Sequence, residues 1–130
     1  MTVLKLGTTI KEFFQNLNDN FSELSNKNKV LFSGSADVPS EGSTTIALSD
    51  DVTQYDGLIF YRDNMDGAIC MSDLTVGTEL CVSNRSATVE PVNICATCFT
   101  ATITGTTAIR LSDNMYDYDF PLTKVVGVKL

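Results

Sequence analysis

Leu58-Ile59-Phe60-Tyr61-Arg62, followed by Asp63-Asn64-Met65-Asp66-Gly67 and then by Ala68-Ile69-Cys70-Met71-Ser72, is the stretch on which the fold class turns. Five residues rich in aromatic and β-branched side chains are too few for a helix and suit a strand. Leu58 through Tyr61 are apolar on both faces, which places that strand centrally in a sheet. The Asp, Asn and Gly that follow are turn residues, so 58–72 reads as a β-hairpin.

Working outward from this hairpin, short strand-like runs alternate with turn residues. They fall at Lys29–Phe32, Thr44–Leu48, Glu79–Ser83, Val92–Ile103, Thr107–Leu111 and Thr123–Leu130. This spacing predicts an antiparallel β-sandwich. Ser33-Gly34-Ser35 is expected to end the first strand, and the polar stretch 35–43, with Pro39 and Gly42, to form a loop. In the long run, apolar residues occupy 92, 94, 96 and 98 and then 99, 101 and 103. The phase change predicts two pieces with a bulge or corner near Cys98-Phe99. Lys124, Val126, Val128 and Leu130 alternate as in a half-exposed strand.

The segment Thr9–Asn28, TIKEFFQNLNDNFSELSNKN, has a different period. Wound at 100° per residue, Ile10, Phe13, Phe14, Leu17, Phe21 and Leu24 fall within an arc of roughly 100°, opposite Glu12, Asn16, Asp19 and Glu23. Thr9 and Glu12 form a capping box, so a helix is expected from Ile10. It would span roughly 27 Å, too short to be stable alone, and its phenylalanines need a surface. The same residues count as heptads with Asn20 on the seam, a position that in bundles sets register and strand number. The stripe therefore packs either on the chain's own sheet or on copies of itself. Residues 1–28 are read as an anchor and oligomerisation segment and 29–130 as the β-domain.

Composition narrows the function. The chain has 130 residues, 16 acidic against 9 basic side chains and a net charge of −7, which argues against nucleic acid or an anionic membrane as partner. No apolar run is long enough to span a bilayer, and no secretory signal pattern opens the chain, so a soluble protein made in a cytoplasm is expected. Histidine is absent. That removes the commonest general base and metal ligand, and no nucleophile–base pair is apparent. No enzyme, cofactor or metal is expected.

Two further patterns carry candidate residues. Residues 46–56, IALSDDVTQYD, echo residues 109–119, IRLSDNMYDYD, and imply two equivalent corners. Asp50, Asp51 and Asp56, with Asp113, Asp117 and Asp119, have the chemistry of calcium ligands but not the spacing of a calcium loop. An Asx turn followed by a tyrosine tucked under the corner is the alternative preferred here. As a ligand surface, Tyr55, Asp56, Tyr61, Tyr116, Tyr118 and Asp119 would stack on or hydrogen-bond to a carbohydrate. Cys95-x-x-Cys98 invites a zinc reading, but its surroundings are strand-like rather than a knuckle. Cys70, Cys81, Cys95 and Cys98 are expected to be free and mostly buried thiols.

Three passages give the chain a resemblance. Thr9-Ile10-Lys11-Glu12-Phe13-Phe14-Gln15-Asn16-Leu17-Asn18-Asp19-Asn20-Phe21 looks like the helix ending in N-L-N-x-N-F that precedes phage fibre domains. The closing Leu122-Thr123-Lys124-Val125-Val126-Gly127-Val128-Lys129-Leu130 is similar to their terminal strand, and Leu48-Ser49-Asp50 through Tyr55-Asp56-Gly57-Leu58-Ile59 fits the same pattern. The sequence thus resembles small fibre, head-fibre or receptor-binding-tip proteins of tailed bacteriophages. The resemblance implies a homotrimer with an N-terminal helical bundle and a jelly-roll-like β-sandwich head. It also implies a virion component assembled in the host cytoplasm, held to other virion proteins through its N-terminus and facing a host-surface glycan or protein. Its oligomerisation residues would be Ile10, Phe13, Phe14, Leu17, Asn20, Phe21 and Leu24. The chain lacks a collagen-like repeat, a long shaft and any histidine-based metal motif.

Overall fold

The computed structural model describes residues 11, 12, 14, 15, 28–88, 93–115 and 120–130, with 86–88 and 93–96 in backbone only. These form a two-layer antiparallel β-sandwich. One sheet has the order β1 (Asn28–Ala36), β8 (Leu122–Val128), β3 (Gly57–Arg62), β4 (Ala68–Met71). The other has the order β2 (Ser43–Ala47), β7 (Ala108–Met115), β6 (Asn93–Gly105), β5 (Glu79–Thr88). Of the segment expected to be helical, Lys11, Glu12, Phe14 and Gln15 have helical backbone. Ile10, Phe13, Leu17, Asn20, Phe21 and Leu24 lie outside the described residues.

Alternation explains the layers. Leu58, Phe60, Val82, Phe99, Ala101, Ile103, Ile109, Leu111, Leu122 and Val125 all point between the sheets and are essentially fully buried. The Phe60 and Phe99 rings meet edge to face, with centroids 5.9 Å apart, and so join the sheets at the centre. The 58–72 hairpin forms as its sequence predicts. Asn64 takes the left-handed conformation at φ 59°, and the Met65 N–H closes the turn on the Arg62 carbonyl. The jelly-roll expectation holds only for the nested outer pairs β1–β8 and β2–β7. Inside them β3–β4 is a plain hairpin and β5–β6–β7 a meander.

Four strands depart from expectation by more than two residues or in continuity. β1 passes through Ser33-Gly34-Ser35 because a register shift between Ser33 and Ala36 absorbs the small residues and lets pairing with β8 resume. β6 is one strand rather than two. Thr97 lies inward and fully buried, which keeps the 97, 99, 101, 103 alternation unbroken. The irregularity sits on its partner instead. Thr100 pairs with Ser112 and Cys98 with Met115, so Asp113 and Asn114 share one position opposite Phe99, and Asp113 adopts φ 54°. β5 and β7 run past Ser83 and Leu111 because Asn84 and Asn114 take inward positions.

These polar residues form a layer at one end of the core. Arg62 is 2% exposed. Its Nε donates to the Phe120 carbonyl at 2.8 Å, and its Nη1 donates to Thr97 Oγ1 at 2.9 Å and Asn114 Oδ1 at 3.3 Å. Its guanidinium also lies 5.3 Å from the centre of the Phe99 ring. Asn84 Nδ2 donates to the Phe60 and Asp66 carbonyls, tying β5 to the opposite sheet.

Candidate functional site

The first Ser-Asp corner is built from its own short side chains. After β2, the Ser49 N–H donates to the Leu31 carbonyl and turns the chain across the sandwich. Asp51 then caps a single 3-10 turn, Val52–Gln54, its Oδ1 accepting from the Thr53 N–H at 2.9 Å and from Thr53 Oγ1 at 2.6 Å. Val52 is fully buried beneath this turn. Tyr55, 4% exposed, tucks under the corner against Gly127, where an added Cβ would lie 2.6 Å from the ring. The corner is therefore the Asx turn with a buried tyrosine.

Electrostatics tighten the same corner. The Tyr55 hydroxyl donates to Asp50 Oδ2 at 2.9 Å. That bond, helped by the Asp51 N–H and by Lys29, holds the Asp50 carboxyl below its ordinary value of 3.8. Burial, followed by the neighbouring carboxylate, pushes Tyr55 up to about 12. Asp56 is exposed, and its Oδ2 accepts the Leu130 N–H at 2.8 Å. Asp50, Asp51 and Asp56 thus each bind a different donor, and among the described residues no cluster of three ligating side chains gathers for a metal. Tyr55 is largely committed to supporting the corner, although the residue also lines the cleft beside it.

Beside the corner opens a cleft of about 580 Å³ lined by Gln54, Asp56, Met71, Ser72, Asp73 and Thr75 among others. Its polar groups are hydroxyls, an amide and two carboxylates. Tyr61, the other described tyrosine proposed for stacking, lies on the outer face of β3 with the Lys124 ammonium 4.4 Å from its ring centre. Tyr116, Tyr118 and Asp119 lie outside the described residues. Their flanks, Met115 and Phe120, are at the opposite end of the sandwich from Tyr55, because β2 descends to its corner while β7 climbs away from it. The two corners are not equivalent. Ser112 and Asp113 remain inside β7, whereas Ser49 and Asp50 follow the end of β2.

Two features escaped the sequence reading. The first is the outer face of the β1-β8-β3-β4 sheet. Register aligns Val30, Val126, Ile59 and Ile69 in one apolar row across all four strands, with Val128 and Met71 in the next. Ile69 is 66% exposed, and Val30 and Met71 are about half exposed. The matching row on the other sheet is Thr45, Arg110, Thr102 and Glu79. The signal was present as apolar residues on both faces of β3, but the cross-strand neighbours that make a row of them required the register. The second concerns the thiols. Cys81 is exposed and Cys70 and Cys98 half-buried, which corrects the expectation of buried cysteines for these three: Cys81 and Cys98 point outward from their sheet, and the Cys95 side chain lies outside the described residues. Among the described residues no helix is long and apolar enough to cross a membrane. No protein-family model matches this chain, and no curated protein sequence matches it.

Proposed function

We propose that this chain is a structural virion protein of a tailed bacteriophage, a trimeric fibre tip or capsid decoration whose β-sandwich head serves attachment to a host surface. Residues 1–28 are its anchor and oligomerisation segment, with Ile10, Phe13, Phe14, Leu17, Asn20, Phe21 and Leu24 on the seam. The reading includes no catalytic activity, since a chain without histidine offers no evident base.

The observation that carries it is the apolar row Val30, Val126, Ile59, Ile69 on a face that water would otherwise cover. In antiparallel sandwiches the outer faces are ordinarily polar, as the second sheet is here, and a contiguous apolar face marks a contact surface. A second copy of the chain is its occupant. Each copy carries a charge of −7, so approach is opposed wherever carboxylates face each other. Among the described residues the outward side chains of this face include one charge, Lys124, and no carboxylate. Asn28, where the seam segment joins the head, is also the cross-strand partner of Val128 on this face. Copies gathered by their N-terminal segments therefore bring these faces together.

Sedimentation of the full chain tests the reading. A trimer at micromolar concentration is expected, weakened by Leu17→Asp in the seam and by Ile69→Asp on the face. A monomeric wild type would overturn it. A carbohydrate-binding module is the second reading, favoured by the hydroxyl- and carboxylate-lined cleft. The cleft lies at the end of the sandwich where Asn28 enters. Glycan-array binding that Asp73→Ala abolishes would support this second reading, and an array without binding would remove it.

A further inference from the structure

We propose that Cys81 and Cys98 are a modification site, a thiol pair that closes into a reversible disulfide across the outer face of the β2-β7-β6-β5 sheet. Their sulfurs lie 3.3 Å apart. Cys81 pairs with Thr100 and Ser83 with Cys98, so the two cysteines are diagonal neighbours on adjacent strands and share the outward face. Cys81 is exposed, within reach of a dissolved oxidant. Cys70 is differently placed: its thiol packs against the core at the sheet edge and donates to the Cys81 carbonyl at 3.8 Å.

The chemistry needs only a small-molecule disulfide as oxidant. The Cys81 thiolate attacks one sulfur of that disulfide, forming a mixed disulfide and expelling one thiol. Cys98 then attacks the Cys81 sulfur and expels the second thiol. Two protons and two electrons leave the protein, and one small disulfide becomes two thiols. The order follows from the site. Cys98 is less exposed, and the hydrogen bond with Cys81 and burial hold its pKa up and disfavour its thiolate, so the exposed Cys81 meets the oxidant first and Cys98, already beside it, resolves the adduct.

The placement on the strands determines what the bond would do. β5 is an edge strand whose neighbour in the sheet is β6. A bond between Cys81 and Cys98 ties this edge covalently to that neighbour. Diagonal positions lie about 7–8 Å apart at Cα, slightly beyond the usual span of a disulfide, so closure draws the edge strand inward. A bond formed in this way is exposed and strained, and such bonds are readily reduced. In a virion the pair would be reduced during assembly in a cytoplasm and would close after release. That setting rests on the proposed function, but the disulfide itself does not.

The test uses the full-length protein incubated with excess oxidised glutathione, quenched with an alkylating agent and mapped by peptide mass. A linked peptide joining Cys81 to Cys98 is expected, reversible by reduced glutathione, with β5 amide exchange slowed by about tenfold. A Cys98→Ser chain should stop at the glutathione adduct on Cys81. The proposal is overturned if both thiols remain alkylatable, if the wild type stops at a stable adduct, if the link joins Cys70 or Cys95 instead, or if Cys81 stays unmodified in the variant. None of these outcomes depends on oligomeric state.

Discussion

Tyr55 shows how one side chain can hold a corner through shape and charge together. Its ring fills the space that Gly127 leaves, and its hydroxyl is committed to Asp50. Gly127→Ala should therefore destabilise the fold by about 2 kcal/mol, because the added methyl would lie 2.6 Å from a ring only 4% exposed and the core does not yield freely. Urea unfolding measures this. Tyr55→Phe probes the charge. Asp50 is lowered in the folded protein, so its contribution is present above the ordinary value of 3.8 and disappears as pH falls through the lowered one. Tyr55 is raised, so its contribution is full below 10 and is lost as pH climbs toward about 12. The Tyr55→Phe chain should accordingly lose the alkaline part of the pH dependence and return Asp50 toward 3.8. NMR titration of the Asp50 carboxyl and unfolding midpoints across pH read both effects. The Asx turn and tucked tyrosine were legible in Ser49-Asp50-Asp51 and Tyr55, since their cause is local. The surface the ring tucks against was not, because it is a glycine 72 positions away.

Among the strands, the boundaries that sequence missed share one cause. β5, β6 and β7 were cut short or divided where Asn84, Thr97 and Asn114 stand at inward positions, because a polar residue breaks the alternation from which a strand is recognised. What makes those residues tolerable inside is Arg62 and the carbonyls around it, contributed by distant parts of the chain, and no local pattern records that. Arg62→Met should cost more than about 2 kcal/mol, because Thr97, Asn114 and the Phe120 carbonyl would lose a buried donor. Thermal or urea unfolding checks it. The bulge in β7 makes a separate prediction. At φ 54° Asp113 is in a conformation that β-branched residues resist, so Asp113→Val should destabilise by about 1–2 kcal/mol while Asp113→Gly should change little. By contrast the 58–72 hairpin was fully legible, since its strand apolarity and its Asn64 turn are both written within the span they organise.

For the whole molecule, the asymmetry of the two outer faces links fold to proposed assembly. If three copies cover the Val30, Val126, Ile59, Ile69 row, unfolding becomes coupled to dissociation, and the midpoint should rise with protein concentration. Ile69→Asp should abolish that dependence and leave the monomer's own stability nearly unchanged, because the side chain is 66% exposed. Calorimetry at several concentrations makes the comparison. The sandwich class was readable from strand spacing. The apolar face was not, because a row across four strands exists only once β1, β8, β3 and β4 are placed side by side.

The pairing of Asn28 with Val128 puts the entry and exit of the head at one end, while Ala36, Arg62 and Leu122 mark the other. This gives the head a mechanical direction. Tension between residue 28 and the distant 63–67 turn passes from β1 through β8 to β3, and the ladder bonds between these strands, lying across the pull, share the load together in shear. Tension between residue 28 and Leu130 would instead peel the β1–β8 ladder one rung at a time. A head suspended by its first strand and gripped from its far end is loaded in the stronger of these two ways.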